Sequence, residues 1–311
     1  MDGTELRNRL QALLDEEVGA SFIDTKTAYD FLNEGAEEVA RQTNILVGTQ
    51  SITTVADQTN YSLNADYLAL YLKDKNNQFF IKYNDGTTNH FIPEDVFSDI
   101  TITDNTDSVL IPSRFTIVYD PSEDSTLTGA TTSAGALNSD NGESVCNNSA
   151  APFGNVSAGD TIHNTTDDTT GVVTEVTSTS ALVTAMYPND PHSAATEDQN
   201  WDSSDTYYVQ TQGRYNLVLD PPPSTAGHTI TLYYVQKPSP VYSHFNTFKF
   251  PRQLNLAVVK YAAWLYKYKD REPNFGDQWY VRADNEMRKG KRMTDRALNK
   301  QKIRVNMRAR R

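Results

Sequence analysis

The residues best suited to chemistry are cations near residue 300. Four of them recur every four residues, and at that spacing their side chains lie along one face of a helix: Arg288, Arg292, Arg296 and Lys300. Like charges at this spacing repel one another by a few tenths of a kcal/mol per pair. This basic ridge therefore indicates an acidic partner or a phosphate backbone alongside the helix, or else a solvated face.

The residues after the ridge alternate with a period of two. Cationic and apolar positions interleave through the following side chains: Lys302, Ile303, Arg304, Val305, Met307, Arg308, Arg310 and Arg311. Such alternation is typical of an extended strand with one apolar and one cationic face. A segment that binds only phosphates has no need of the apolar half. We predict a basic arm, residues 301–311, that docks in a groove or on a sheet edge of a partner protein. Nucleic-acid binding and fraying stay as alternatives.

Sequence motifs for catalysis and cofactor binding are absent. The chain has no GxxxxGK[ST], GxGxxG, HExxH or GxSxG. Its single cysteine rules out paired thiolate ligands for zinc, and its five histidines have no metal-site spacing. We predict that the protein is not an enzyme and that it has no cofactor and no metal. Forty acidic residues still leave open a carboxylate pair of the kind that hydrolyses glycosides.

Charge is distributed unevenly along the chain. Residues 282–311 contain twelve basic and three acidic residues, a net charge of +9, whereas the whole chain has a net charge of −12 and the remainder therefore −21. Between Arg114 and Arg214 there are fourteen acidic residues and no Lys or Arg. An acidic body repels DNA, and a basic end attracts phosphates or acidic proteins. The pattern favours a protein that joins unlike surfaces, although it is also typical of a merely soluble one.

The N-terminal sequence and the hydropathy predict a soluble protein that folds in the cytoplasm. The first ten residues, "MDGTELRNRL", do not resemble a signal peptide, and no apolar stretch approaches the roughly 18 residues that span a bilayer. Cys146 has no possible disulfide partner within the chain.

Helical periodicity occurs at the two ends of the chain. Apolar residues at steps of three and four predict a first helix from Leu6 to Val18, and a second one capped by Asp24 that ends near Asn44. Two more helices are predicted, from Pro251 and from near Pro273. A short helix is also predicted from Pro93.

Short strand-like runs fill the centre, including "RFTIVYD", "DTYYVQ", "RYNLVLD" and "HTITLYYVQ". We predict that the first two pair as antiparallel neighbours. Between them, Ser, Thr, Asn, Asp and Gly occupy 50 of the 86 positions in 121–206. Strand-like spacing within this stretch, together with Phe153 and Trp201, predicts a small β module, with disorder as the alternative.

The predicted fold class is α+β: N- and C-terminal helices that form a helical bundle, a central antiparallel β region and an inserted small all-β module. The predicted domains are a discontinuous core of residues 1–120 and 207–300, an acidic insert of residues 121–206, and the arm.

Taken in order, four segments resemble the head-to-tail adaptor (connector, head-completion) proteins of tailed bacteriophages. They are "TTVADQTNYSLNADYLALYLKD", "RFTIVYD", "YNLVLDPPPSTAGHTITLYYVQKPSPV" and "FKFPRQLNLAVVKYAAWLYKYKDREP". The resemblance covers residues 1–120 and 207–300. It is a resemblance of order and composition, and Asn64 stands where such proteins often have proline.

The resemblance implies a structural protein of the virion neck, assembled in the host cytoplasm. It implies a ring, typically a dodecamer, between the portal protein and a downstream tail protein, either a nozzle or a tail-tube protein. Genome DNA would pass through the channel without sequence-specific binding, and no membrane is involved. In such rings a C-terminal arm commonly reaches the portal, which gives the ridge and the arm a portal-binding role.

Two functions of other classes stay open. One is DNA binding through the basic ridge and the arm, which the acidic body disfavours. The other is carbohydrate binding by a tail or surface protein through the insert, where Trp201, Tyr207 and Tyr208 could stack on sugars.

Overall fold

The computed structural model describes residues 1–14, 23–73, 78–95, 108–121, 125–135, 137–138, 142–188, 199–269 and 273–299, without the side chains of 268–269, 273–275 and 293–299. These ranges contain four α-helices: α1 (Gly3–Leu13), α2 (Thr25–Thr43), α3 (Arg252–Lys269) and α4 (Pro273–Asn299). They also contain fourteen strands: β1 (Val47–Thr53), β2 (Asn60–Ser62), β3 (Tyr67–Leu70), β4 (Phe80–Asn84), β5 (Asn89–Pro93), β6 (Arg114–Asp120), β7 (Thr126–Ala130), β8 (Ser144–Asn147), β9 (Thr161–Asn164), β10 (Thr169–Ser178), β11 (Ala181–Pro188), β12 (Thr206–Gln210), β13 (Arg214–Asp220) and β14 (Thr229–Gln236).

Local capping sets the ends of α2. The Asp24 carboxylate accepts a hydrogen bond of 2.8 Å from the backbone N–H of Thr27, which confirms the predicted cap. At the other end Asn44 adopts a left-handed conformation with φ 51°, and its N–H donates to the carbonyl of Ala40. Asparagine tolerates this conformation, so the helix ends where the sequence predicts.

The four helices pack around one apolar core. Leu6, Leu32 and Val258 are fully buried there, and Ala283 of α4 is buried with them. The contact between α2 and α3 is close at Gly35, where an added Cβ would lie 3.1 Å from the carbonyl oxygen of Val258. Only a residue without a side chain fits at that distance without displacement of the neighbouring helix.

Two antiparallel sheets form the middle of the molecule. The first has the order β1-β14-β4-β5, with β3 on the same side of β14 as β4, and the second has the order β2-β13-β6. Buried residues of the two sheets form one core, which includes Tyr61, Phe115, Leu217 and Leu232. Arg114 links them, because its guanidinium contacts the Asp220 carboxylate at 2.6 Å and that of Asp95, beyond β5, at 3.2 Å.

The third sheet is built from the Ser- and Thr-rich stretch together with β12, which follows it. Its order is β7-β12-β9-β10-β11-β8, all antiparallel. Ser133, just after β7, bridges to Asn147 of β8, so the two outer strands approach one another and the sheet curls. Its inner side has a separate apolar core, in which Phe153, Ile162 and Trp201 are buried.

The predicted fold class is wrong. Within the described ranges the protein is mostly β: three antiparallel sheets of five, three and six strands account for most elements, and a helical bundle does not define the architecture. The error has a physical cause. Helical periodicity is conspicuous in a sequence, whereas a strand of four or five residues rich in threonine has few apolar positions, although β-branched threonine suits a strand well.

Pro93 ends β5, and Glu94 after it bridges to Phe115. The rest of the short helix predicted from Pro93, residues 96–100, lies outside the described residues, so that helix stays a prediction. One local prediction about strand pairing is wrong. β6 pairs with β13, and β12 lies between β7 and β9, so "RFTIVYD" and "DTYYVQ" are not neighbours. The domain boundaries stay a prediction.

Candidate partner-binding surface

The basic ridge begins on α4, whose inner face holds it against the helical core. Ala283, Met287 and Gly290 are buried, one turn apart. An added Cβ at Gly290 would lie 2.8 Å from a methyl carbon of Leu254 in α3. This close packing fixes the rotation of α4, and the opposite face is left to solvent.

That outer face is cationic. Arg288, Lys289, Lys291 and Arg292 are all exposed. Arg288 contacts Asp284 at 2.8 Å, and Lys289 contacts Glu286 at 3.2 Å. Exposed pairs of this kind contribute at most about 1 kcal/mol. Because these ion pairs are weak, ion pairs with a partner's carboxylates can replace them, so the face can bind an acidic surface.

The structure places two of the predicted site residues together. Arg288 and Arg292 lie one turn apart on the exposed face of α4. Arg296 belongs to the same helix, but its side chain lies outside the description. The remaining predicted residues, Lys300, Lys302, Ile303, Arg304, Val305, Met307, Arg308, Arg310 and Arg311, lie outside the described residues. The arm therefore stays a prediction.

A cleft of about 580 Å³ lies where α2, the two central sheets and the third sheet meet. A row of tyrosine rings forms one of its walls: Tyr119 and Tyr215 are 5.4 Å apart, and Tyr215 and Tyr67 are 5.2 Å apart. Sequence reasoning missed this wall. Tyr119 is the sixth residue of "RFTIVYD" and Tyr215 is the second residue of "RYNLVLD", and only the antiparallel register of β6 against β13 pairs them directly.

Asp160 lines the same cleft on a tight turn of the third sheet. It is 4% exposed, and its carboxylate accepts a hydrogen bond of 2.8 Å from the backbone N–H of Ser157. Burial raises the pKa of Asp160 to about 6, although that hydrogen bond and the nearby cations Arg214 and Lys237 oppose the rise. The carboxyl group therefore titrates near neutral pH, at the junction between the third sheet and the rest of the molecule.

Tyrosines join the third sheet to the helices. The hydroxyl of Tyr187 on β11 donates to the carbonyl of Tyr242, whose own hydroxyl donates to the Asp30 carboxylate at 2.6 Å. Burial raises the pKa of both hydroxyls well above the usual range, and the Asp30 charge contributes. Both phenols therefore act as neutral donors that hold β11 against α2.

The aromatic residues considered for sugar stacking do not form a binding surface. Trp201 and Tyr207 are buried in the core of the third sheet, 0% and 2% exposed, and the Trp201 indole N–H donates to Thr184. Tyr208 lies on the opposite side of the sheet, stacked on His163 with their ring centroids 4.2 Å apart. Because the period of a strand is two, the neighbouring tyrosines point to opposite faces.

The described residues show no cluster for metal chemistry. No three His, Cys, Asp or Glu side chains among them lie close enough together to hold a metal ion. Cys146 is buried, and burial raises the pKa of its thiol to about 12. None of the described helices is both long and apolar enough to cross a bilayer.

A comparison with protein families gives one match. The family described as SU10 adaptor protein matches residues 1–309, nearly the whole chain. The chain belongs to the SU10 adaptor protein family. This adaptor is thus a structural protein of a bacteriophage and a component of the virion, which confirms the resemblance at that level. No curated protein matches its sequence.

Proposed function

We propose that this adaptor forms a ring of twelve copies that joins the portal to the tail in the virion neck. Residues 300–311 dock on the portal protein, and the opposite side of the ring receives a nozzle or tail-tube protein. Genome DNA passes through the channel without sequence-specific contacts. The adaptor acts as a structural part and not as an enzyme.

The length of α4 and the cations on its exposed face are the observation that supports this proposal most. The helix is 27 residues long, is anchored by Ala283 and Met287, and runs to Asn299. Its exposed face carries Arg288 and Arg292, and the arm follows directly. Because the arm follows this helix in the sequence, we propose that the ridge and the arm bind the same acidic partner.

Chemical complementarity indicates what the partner offers. In the arm, cationic residues such as Arg304 and Arg308 alternate with apolar residues such as Val305. This pattern fits an apolar groove rimmed by carboxylates, because arginine forms bidentate hydrogen bonds with carboxylates. Ordering each backbone residue costs about 1–2 kcal/mol. A single arm therefore binds weakly, whereas a ring of arms binds strongly.

Removal of the arm tests the proposal. Full-length adaptor and a variant that lacks residues 300–311 are each titrated onto the purified portal of the same virus. Calorimetry measures the binding affinity, and electron microscopy counts the complexes. We expect at least a tenfold loss of affinity. Normal portal binding by the shortened chain would overturn the docking proposal.

Matched variants separate the two faces of the arm. One carries Ile303→Ser and Val305→Ser, and the other carries Arg304→Gln and Arg308→Gln. If the arm docks on a protein, each variant weakens portal binding. If it binds DNA instead, only the arginine variant loses affinity, and binding to duplex DNA declines steeply with salt, with a slope close to the number of phosphates contacted.

A further inference from the structure

The two outer strands of the five-stranded sheet leave their edges open. β1 pairs with β14 over all seven residues, from Val47↔Val235 to Thr53↔Thr229, without a bulge. Among the described residues, no backbone hydrogen bond reaches β1 from its other side. Likewise, within the residues that the structure describes, β5 pairs along its length with β4 alone. As far as the described residues extend, the sheet therefore presents a free row of backbone donors and acceptors at each end.

Neither edge strand has the features that usually prevent an edge from pairing with another chain. Natural edge strands are commonly guarded by charged side chains, by proline within the strand or by a bulge. β1, "VGTQSIT", has no charged residue and no proline. β5, "NHFIP", has its proline only at the end, and its one titratable residue, His90, contacts Asp85 at 2.9 Å. Both edges are therefore competent for pairing with a further strand.

Apolar side chains are exposed beside both edges. Val47 on β1 is 41% exposed, and Phe91 on β5 is 63% exposed, although its ring contacts Phe80 edge-on at 5.3 Å. Large exposed apolar groups next to an open edge add burial to any strand that pairs there. The two edges thus have the same chemistry but different sequences and lie at opposite ends of one sheet.

We propose that the β1 edge of one copy pairs with the β5 edge of a second copy, so that the five-stranded sheets continue from one copy to the next. An interface between two unlike surfaces is heterologous, and its repetition generates a ring when the rotation closes. This inference rests on the proposed ring and names the contact that builds it.

Other occupants fit less well. Pairing of β1 with β1 of a second copy would be two-fold symmetric and would stop at a dimer. The basic arm would place several arginines along β1, where the strand offers no carboxylate to receive them. A neutral strand such as β5 has no such conflict. Because β5 has only five residues, a single contact is weak, and a closed ring gains strength by holding each copy at both edges.

Two single substitutions block the edges separately. Thr49→Lys puts a charge on the exposed side of β1, and Phe91→Lys does the same on β5. The full-length proteins are studied by sedimentation over a range of concentrations. We expect the original chain to self-associate and each variant alone to do so at least tenfold more weakly. Thr128→Lys, on the edge strand β7 of the third sheet, is the matched control and should associate normally.

A mixture of the two variants gives the decisive result. The Thr49→Lys copy keeps its β5 edge and the Phe91→Lys copy keeps its β1 edge, so an equimolar mixture should form dimers and stop there. The inference is overturned if the mixture stays monomeric, if either variant alone dimerises as strongly as the mixture, or if the original chain is monomeric at ~1 mM. Portal binding is measured separately on the same proteins. Intact portal binding without edge pairing would reject this contact alone, whereas edge pairing without portal binding would reject the docking role of the arm.

Discussion

Replacement of Asp160 by asparagine should change how the stability of the adaptor depends on pH. Burial raises the pKa of this carboxyl group from its ordinary value of 3.8 to about 6 in the folded chain. The folded state therefore binds the proton more tightly than the unfolded state does. The resulting stabilisation is complete below pH ~4 and is lost as pH rises through ~6.

The magnitude follows from the change in proton affinity. Each tenfold change corresponds to about 1.4 kcal/mol, so the rise from 3.8 to about 6 corresponds to about 3 kcal/mol of unfolding free energy. Asparagine stays neutral at every pH, and its side-chain oxygen can still accept the hydrogen bond from Ser157. Asp160→Asn should thus match the original chain at pH 4 and exceed its stability at pH 8 by up to about 3 kcal/mol.

Urea denaturation at intervals from pH 4 to pH 8 provides the assay. Trp201 lies in the core of the third sheet, so in a background that carries Trp264→Phe and Trp279→Phe its fluorescence reports unfolding of the part that contains Asp160. Glu175→Gln, which removes a solvent-facing carboxylate from β10 of the same sheet, is the control. Its unfolding free energy should not diverge from that of the original chain as pH rises. A constant difference between Asp160→Asn and the original chain, or one that grows toward low pH, would refute the reasoning.

Three further substitutions test the packing. Leu32→Ala removes a fully buried side chain from the helical core and should lower the unfolding free energy by about 2–5 kcal/mol in thermal melts. Gly135→Ala would place a Cβ 1.8 Å from the Val145 carbonyl oxygen, and since backbone must move, urea melts followed by Trp201 fluorescence should show a loss of about 1–3 kcal/mol. Tyr187→Phe removes the hydroxyl that donates to the Tyr242 carbonyl and should lower the unfolding free energy by about 0.5–1.5 kcal/mol. It should also make the third sheet easier to cleave by protease.

Each of these substitutions has a matched control elsewhere in the chain. Glu34→Ala changes an exposed position of α2 and should alter stability by less than about 0.5 kcal/mol. Gly154→Ala adds a Cβ with no atom within 4 Å and should be tolerated. Tyr208→Phe removes a hydroxyl on the side of the third sheet away from its core and should leave protease resistance unchanged. Equal effects from a substitution and its control would contradict the corresponding packing argument.

Several features could be predicted from the sequence because they depend on local interactions. The start of α2 at Asp24 and its end at Asn44 follow from side-chain capping and a left-handed residue. The start of α4 at Pro273 follows from proline's fixed φ. Each of these signals involves residues only a few positions apart, so the sequence itself contains the interaction.

The sequence did not determine which strands pair, and this is where the predictions were wrong. The pairing of β6 with β13 joins residues about 100 positions apart, and a run such as "TYYVQ" fits the edge of almost any sheet. The tyrosine wall of the cleft and the open edges of β1 and β5 exist only once those pairings are made. Charge segregation and the alternating arm came from the sequence alone. Tertiary structure decided the mostly β architecture and the environment of Asp160, because strand pairing and burial depend on residues that meet only when the whole chain folds.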